Sequence, residues 1–141
     1  MWRSEKLFGQ YILRKLKAQG FDTFRVETGM TTVGMPDVYA MGGGADWWIE
    51  LKNMQKSSIK SAYWRVPWRS GQQMWALSYW RCLKGRKCSW TFVGLKDGVL
   101  IVRMGSLKED NIVRAEDKDA FVFSPADFAK LNLGRWLTEH A

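Results

Sequence analysis

One histidine, two cysteines and three prolines are all that 141 residues contain of those types. The histidine, His140, is next to last, which leaves a Ser-His-Asp or Cys-His triad without a base and a His-ligated zinc site without ligands. Cys82 and Cys88 make neither a disulfide framework nor a zinc site. Long apolar runs are also missing. None approaches the ~20 residues that span a bilayer, and no signal-like segment follows Met1, so a cytoplasmic protein without membrane contact is expected. Any enzymatic chemistry must rest on carboxylates and lysine.

What is present is apolar surface and positive charge. Hydrophobic residues make up 46% of the chain, enough to offset the ordering entropy and exclude a disordered polymer. Lysine and arginine exceed aspartate and glutamate by 22 to 14, a net charge of +8. Nine tryptophans are more than a core of this size needs, and several are expected to contact something else.

Ser4 to Ala18 reads as a helix, with Leu7, Phe8, Tyr11, Ile12 and Leu16 at helical spacing and Gly20 behind it. Thr23–Glu27, Asp37–Met41 and Trp47–Asn53 read as strands, the last two joined by a glycine turn in a hairpin. Periodicity is lost from Met54 to Ser70. A helix is expected from Gln72 to Leu83, ended by Gly85. Strands 88–95 and 99–104 should pair through the turn Lys96-Asp97-Gly98. Ser106–Asp119 reads as a charged surface loop, Phe121–Phe123 as a short strand, and Ser124-Pro125 as the start of a helix running to about Leu137. No internal repeat and no boundary divides the chain. The expectation is one mixed α+β domain over 1–141, with a core of about 4–104, an extension of 105–141, and a central sheet flanked by helices.

Asp37, closing Gly34-Met35-Pro36-Asp37, stands thirteen residues before Glu50 of Glu50-Leu51-Lys52. Side chains alternate along a strand, so Glu50 and Lys52 share one face, and the hairpin brings Asp37 towards them. Two carboxylates and an ammonium suit a hard divalent cation, Mg²⁺ or Mn²⁺, and the activation of water against a phosphodiester. A Pro-Asp, Glu-x-Lys pattern with about 20 allowed spacers arises by chance in roughly 3% of chains this long. By itself it leaves room for a surface hairpin with an ion pair.

Glu5 adds a second clue. It lies within about 20° of Ile12 and Leu16 on the helix wheel, where an acid is either a first-turn partner of the helix dipole or a group aimed at a cation. Gln72 is a further candidate, with Gln73 as its competitor. From Gln55 to Arg69, Lys56, Lys60, Arg65 and Arg69 interleave with Tyr63, Trp64 and Trp68. These cations suit phosphates, and the rings suit stacking on bases, unless the tryptophans fold back onto the core.

Together, Glu5, Gly34-Met35-Pro36-Asp37, Trp48-Ile49-Glu50-Leu51-Lys52 and Gln72-Gln73-Met74-Trp75 resemble the PD-(D/E)XK nuclease superfamily over about residues 4–104. The glutamine three before an aromatic is similar to VRR-NUC domains of phage and repair nucleases. The Asp-to-Glu spacing with a helix-1 glutamate is similar to archaeal-type Holliday-junction resolvases. This resemblance implies an αβββαβ restriction-endonuclease-like core, Mg²⁺-dependent phosphodiester cleavage with Mn²⁺ as substitute, and a homodimer acting on four-way DNA junctions, in a host cytoplasm if phage-encoded. It further implies that Asp37, Glu50, the Leu51 carbonyl and Glu5 bind metal, while Lys52 and Gln72 orient water or phosphate. A sequence-specific or nicking endonuclease on the same fold, or a basic DNA-binding module, is the alternative. The Trp-rich stretch between Lys52 and Gln72 departs from the minimal pattern, and the residues after Met104 have no counterpart in it.

Overall fold

In the computed structural model, which describes residues 2–26, 35–82, 88–104 and 110–141, the first element is helix α1, Glu5–Ala18. Ser4 Oγ accepts from Leu7 N, Glu5 sits in the positive first turn, and Lys15 and Lys17 sit in the last. Phe8, Ile12 and Leu16 form its buried stripe. Three antiparallel strands follow: β1 (Asp22–Arg25), β2 (Val38–Gly42) and β3 (Ala45–Met54). The hairpin between β2 and β3 turns on Gly43 and Gly44, both at positive φ, a conformation that glycine adopts without a Cβ penalty.

Strand β4 (Tyr63–Arg65) and helix α2 (Ser70–Cys82) lead to β5 (Ser89–Leu95), which returns parallel to β3. Strand β6 (Gly98–Arg103) pairs antiparallel with β5, and β8 (Ala120–Phe123) with β6. The main sheet thus runs β1-β2-β3-β5-β6-β8, mixed because of its single parallel pair. Strand β7 (Ile112–Arg114) pairs with β4 in a separate two-stranded ribbon.

The sheet has two differently covered faces. Trp47, Ile49, Leu51, Trp90 and Phe92 pack with Phe8, Ile12 and Leu16 of α1, and with Phe128 of α3 (Pro125–Lys130) and Leu133 and Leu137 of α4 (Leu133–Glu139). The opposite face is covered over β5 and β6 by the ribbon, whose Trp64 and Val113 cluster with Val66, Trp68, Val93 and Leu100. Over β2 and β3 it is covered by α2, where the Trp75 ring meets Trp48 at 5.6 Å.

Three expectations change. The stretch 54–70, read as aperiodic, contains β4, and the charged stretch 106–119 contains its partner β7. The expected single C-terminal helix is two, because Leu131 is extended and Asn132 caps a new start by accepting from Arg135 N. Residues 110–141 are joined to the rest by β8 at the sheet edge and by a shared core. The expected connection through Gly34, the end of the second helix at Leu83 to Gly85, and residues 106–109 lie outside the described residues. Among the described residues, no helix is long and apolar enough to cross a membrane.

Candidate active site

Strand β2 begins only at Val38, opposite Ile49, while β3 continues to Met54, leaving the edge of β3 open beyond Ile49. Asp37 fills that edge. Its Oδ2 accepts from Leu51 N at 2.9 Å, a side chain taking the place of the missing strand partner. A residue's N–H and C=O point towards the same neighbouring strand, so the Leu51 carbonyl faces this edge as well.

Alternation along β3 sends Leu51 into the core against α1 and Glu50 and Lys52 to the other face. Glu50 is only 2% exposed. Its Oε2 accepts from Gln72 Nε2 at 3.2 Å, and Gln72 Oε1 in turn accepts from Arg69 N, so Gln72 is held at both ends. Gln73 instead donates to Asn111, which excludes it from the carboxylates. The expected choice between the two glutamines therefore falls on Gln72.

Glu5, Asp37, Glu50, Leu51, Lys52 and Gln72 line one cavity of about 510 Å³, together with Lys6, Arg25 and Arg69. Burial, followed by the hydrogen bond and charge of Asp37, pushes the Glu50 carboxyl up to about 9, against a smaller opposing effect of Lys52. Glu5 is raised too, by burial and then by Asp37. Such crowding favours a proton or a cation beside the Glu50 carboxyl.

The donor set fits a hard cation. Among the described residues no three His, Cys, Asp or Glu side chains close into a metal cage, so Glu5 lies on the cavity wall outside any three-acid cluster. Two carboxylates, a backbone carbonyl and water are what Mg²⁺ accepts, since it keeps much of its hydration shell.

The expected DNA-contacting residues divide. Lys56, Lys60, Tyr63, Arg65 and Arg69 are exposed, and Arg69 reaches the cavity. Trp64 and Trp68 are corrections: they are 2% and 5% exposed, and their Nε1 atoms donate to Ser58 O and Thr91 Oγ1. Alternation places both rings against β5 and β6, where no base can stack on them.

Lys6 and Arg25 were not foreseen. Arg25 reaches the cavity past Gly9 of α1. A Cβ there would come within 2.9 Å of both Arg25 Nη2 and Leu51 Cδ1. The available signal was that glycine, which inside a helical pattern costs about 1 kcal/mol relative to alanine.

No family model and no curated protein matches the chain. Among solved structures it is similar to Archaeoglobus fulgidus Hjc, a Holliday junction resolvase from an archaeal hyperthermophile, determined at 1.6 Å. The TM-score is 0.54 at 15% identity, over 92% of this chain and 97% of that one. The chain thus has a restriction-endonuclease-like fold, a central mixed sheet flanked by helices.

Proposed function

We propose that this protein is a metal-dependent, structure-selective DNA endonuclease, with four-way junctions as its preferred substrate. The carrying observation is the convergence of Asp37, Glu50, Lys52 and Gln72 on one cavity at the open edge of β3. Likeness of fold to a Holliday junction resolvase supports the nuclease reading.

Asp37, Glu50 and the Leu51 carbonyl would hold Mg²⁺ or Mn²⁺. When bound, that cation supplies Lewis-acid polarisation of a phosphate oxygen and a lowered pKa for water. The protein's own groups do the rest. Leu51 N–H fixes Asp37, and Gln72 fixes Glu50, so neither carboxylate must reorganise when substrate arrives. Lys52 presents an ammonium to the same space, suited to orienting water or to neutralising charge on the phosphate as the bond breaks. Arg25, Arg69 and Lys6 flank the acids and offset the repulsion a polyanion would otherwise meet.

Resolution of a junction needs two symmetric cuts, and the sequence contains one Asp37/Glu50/Lys52 set, so the active form in this reading is a C₂ homodimer. The test is Mg²⁺-dependent cleavage of a labelled four-way junction beside a matched linear duplex, with light scattering for mass. Selective cutting of the junction by a dimer is the expected result. Cutting of particular linear sequences would point to a restriction-type enzyme, and binding without any cutting to a DNA-binding module.

A further inference from the structure

The β4–β7 ribbon has an inner and an outer side. Trp64 and Val113 point inward to the core, so alternation turns Tyr63, Arg65, Ile112 and Arg114 outward. Tyr63 lies directly opposite Arg114 and is 58% exposed. Arg65, exposed, lies opposite Ile112. Two arginines nearly fifty residues apart in sequence are thereby placed on one side of one ribbon.

The acids at the ribbon ends are turned onto its backbone rather than towards these arginines. Asp117 Oδ2 accepts from Arg114 N at 2.9 Å, and Asp110 Oδ1 accepts from Ile112 N at 3.0 Å. Neither arginine is held in a salt bridge among the described residues. Arg69 in the cavity is four positions on from Arg65, so their Cα atoms are at most about 14 Å apart, within the span of a few nucleotides of a duplex.

Resting on the nuclease reading above, we infer that the outer face of this ribbon is a second DNA contact. In it Arg65 and Arg114 grip the phosphates of a double-stranded arm leading away from the cleavage cavity. The contact is to duplex rather than single strand. A single-strand platform needs successive exposed rings, and here Trp64 and Trp68 are buried, leaving Tyr63 alone. It is to backbone rather than bases, because three residues per strand are too few to follow a groove and charge is what the face offers.

The experiment is fluorescence anisotropy in EDTA, with a four-way junction of long arms, one of arms trimmed to a few base pairs, and a linear duplex, over a salt series. Arg65→Ala and Arg114→Ala should each reduce the slope of log K against log salt by about 0.9 and weaken long-arm binding several-fold, whatever the sequence. Trimmed arms should abolish the difference from wild type. Arg114→Lys should keep the slope, and Lys130→Ala, on the other face of the sheet, should leave binding unchanged. Matching melting curves will show that the substitutions at exposed Arg65 and half-buried Arg114 leave the fold intact. If both alanine variants keep the wild-type slope while the wild type binds and cuts junctions, the ribbon contact is overturned and the nuclease reading stands. If the wild type binds no DNA at all, both fall.

Discussion

Strand β3 is two different objects seen from its two faces. Towards α1 it presents Trp47, Ile49 and Leu51, none more than 2% exposed, in an apolar core shared with α4. Towards α2 it presents Trp48, Glu50 and Lys52, and α2 buries only Gln72 and Ala76 among its thirteen described positions. The first face is built for stability. The second keeps a carboxyl group out of water beside another carboxylate, an arrangement that costs stability and is tolerated where function requires it. Helix α2 contributes less to the core than to the placement of one amide against Glu50.

That contrast can be broken most sharply at the acids. Asp37→Asn or Glu50→Gln should lower junction cleavage by about two orders of magnitude or more, the scale of a lost transition-state contact, with DNA binding in EDTA largely kept. Near-normal turnover in Mg²⁺ by either variant would dismiss the site. A comparable split is expected within β4. Trp64→Ala should cost about 3–5 kcal/mol of stability, as for other buried aromatics, whereas Tyr63→Ala next to it should change stability by no more than ~0.5 kcal/mol. Chemical denaturation of the two variants checks this directly, and equal losses would contradict the ribbon's inward and outward sides.

The pH dependence follows from Glu50. Its carboxyl is raised in the folded protein to about 9, above the ordinary 4.5, so between those values the folded state binds more protons than the unfolded. Stability of the chelator-treated protein should therefore fall as pH rises from about 5 to 9. Glu50→Gln should flatten that fall, and parallel melting profiles for the two proteins would argue against a buried proton at this site. Smaller still is the effect expected at Asn111, at φ 60, which accepts from Gln73 and donates to Trp68 O. Asn111→Gly keeps the backbone conformation and loses the side-chain bonds, so it should cost about 1–2 kcal/mol. Asn111→Ala adds backbone strain and should cost more. The order of the two melting temperatures is the measurement.

Much of this was legible because it depends on short-range rules. The cap at Ser4, the apolar stripe of α1, the glycine hairpin and the period-two pattern of Trp47–Asn53 act over a few residues, and they bring Asp37 to Glu50 without knowledge of anything distant. The alternation of Trp64, Val66 and Trp68 with Arg65, Pro67 and Arg69 was equally present in the sequence, and the density of cations obscured it.

The sequence by itself determined the strand order of the first hairpin, the side of β3 on which Glu50 and Lys52 stand, and an excess of positive charge. Period and turn chemistry are local, and net charge is a sum. Only the tertiary structure decided between Gln72 and Gln73, buried Trp64 and Trp68, carried Arg25 over Gly9, and paired β4 with β7 to set Arg114 beside Tyr63. Each of those outcomes depends on which distant surface a side chain meets, and a linear pattern does not contain that partner until the sheet has formed.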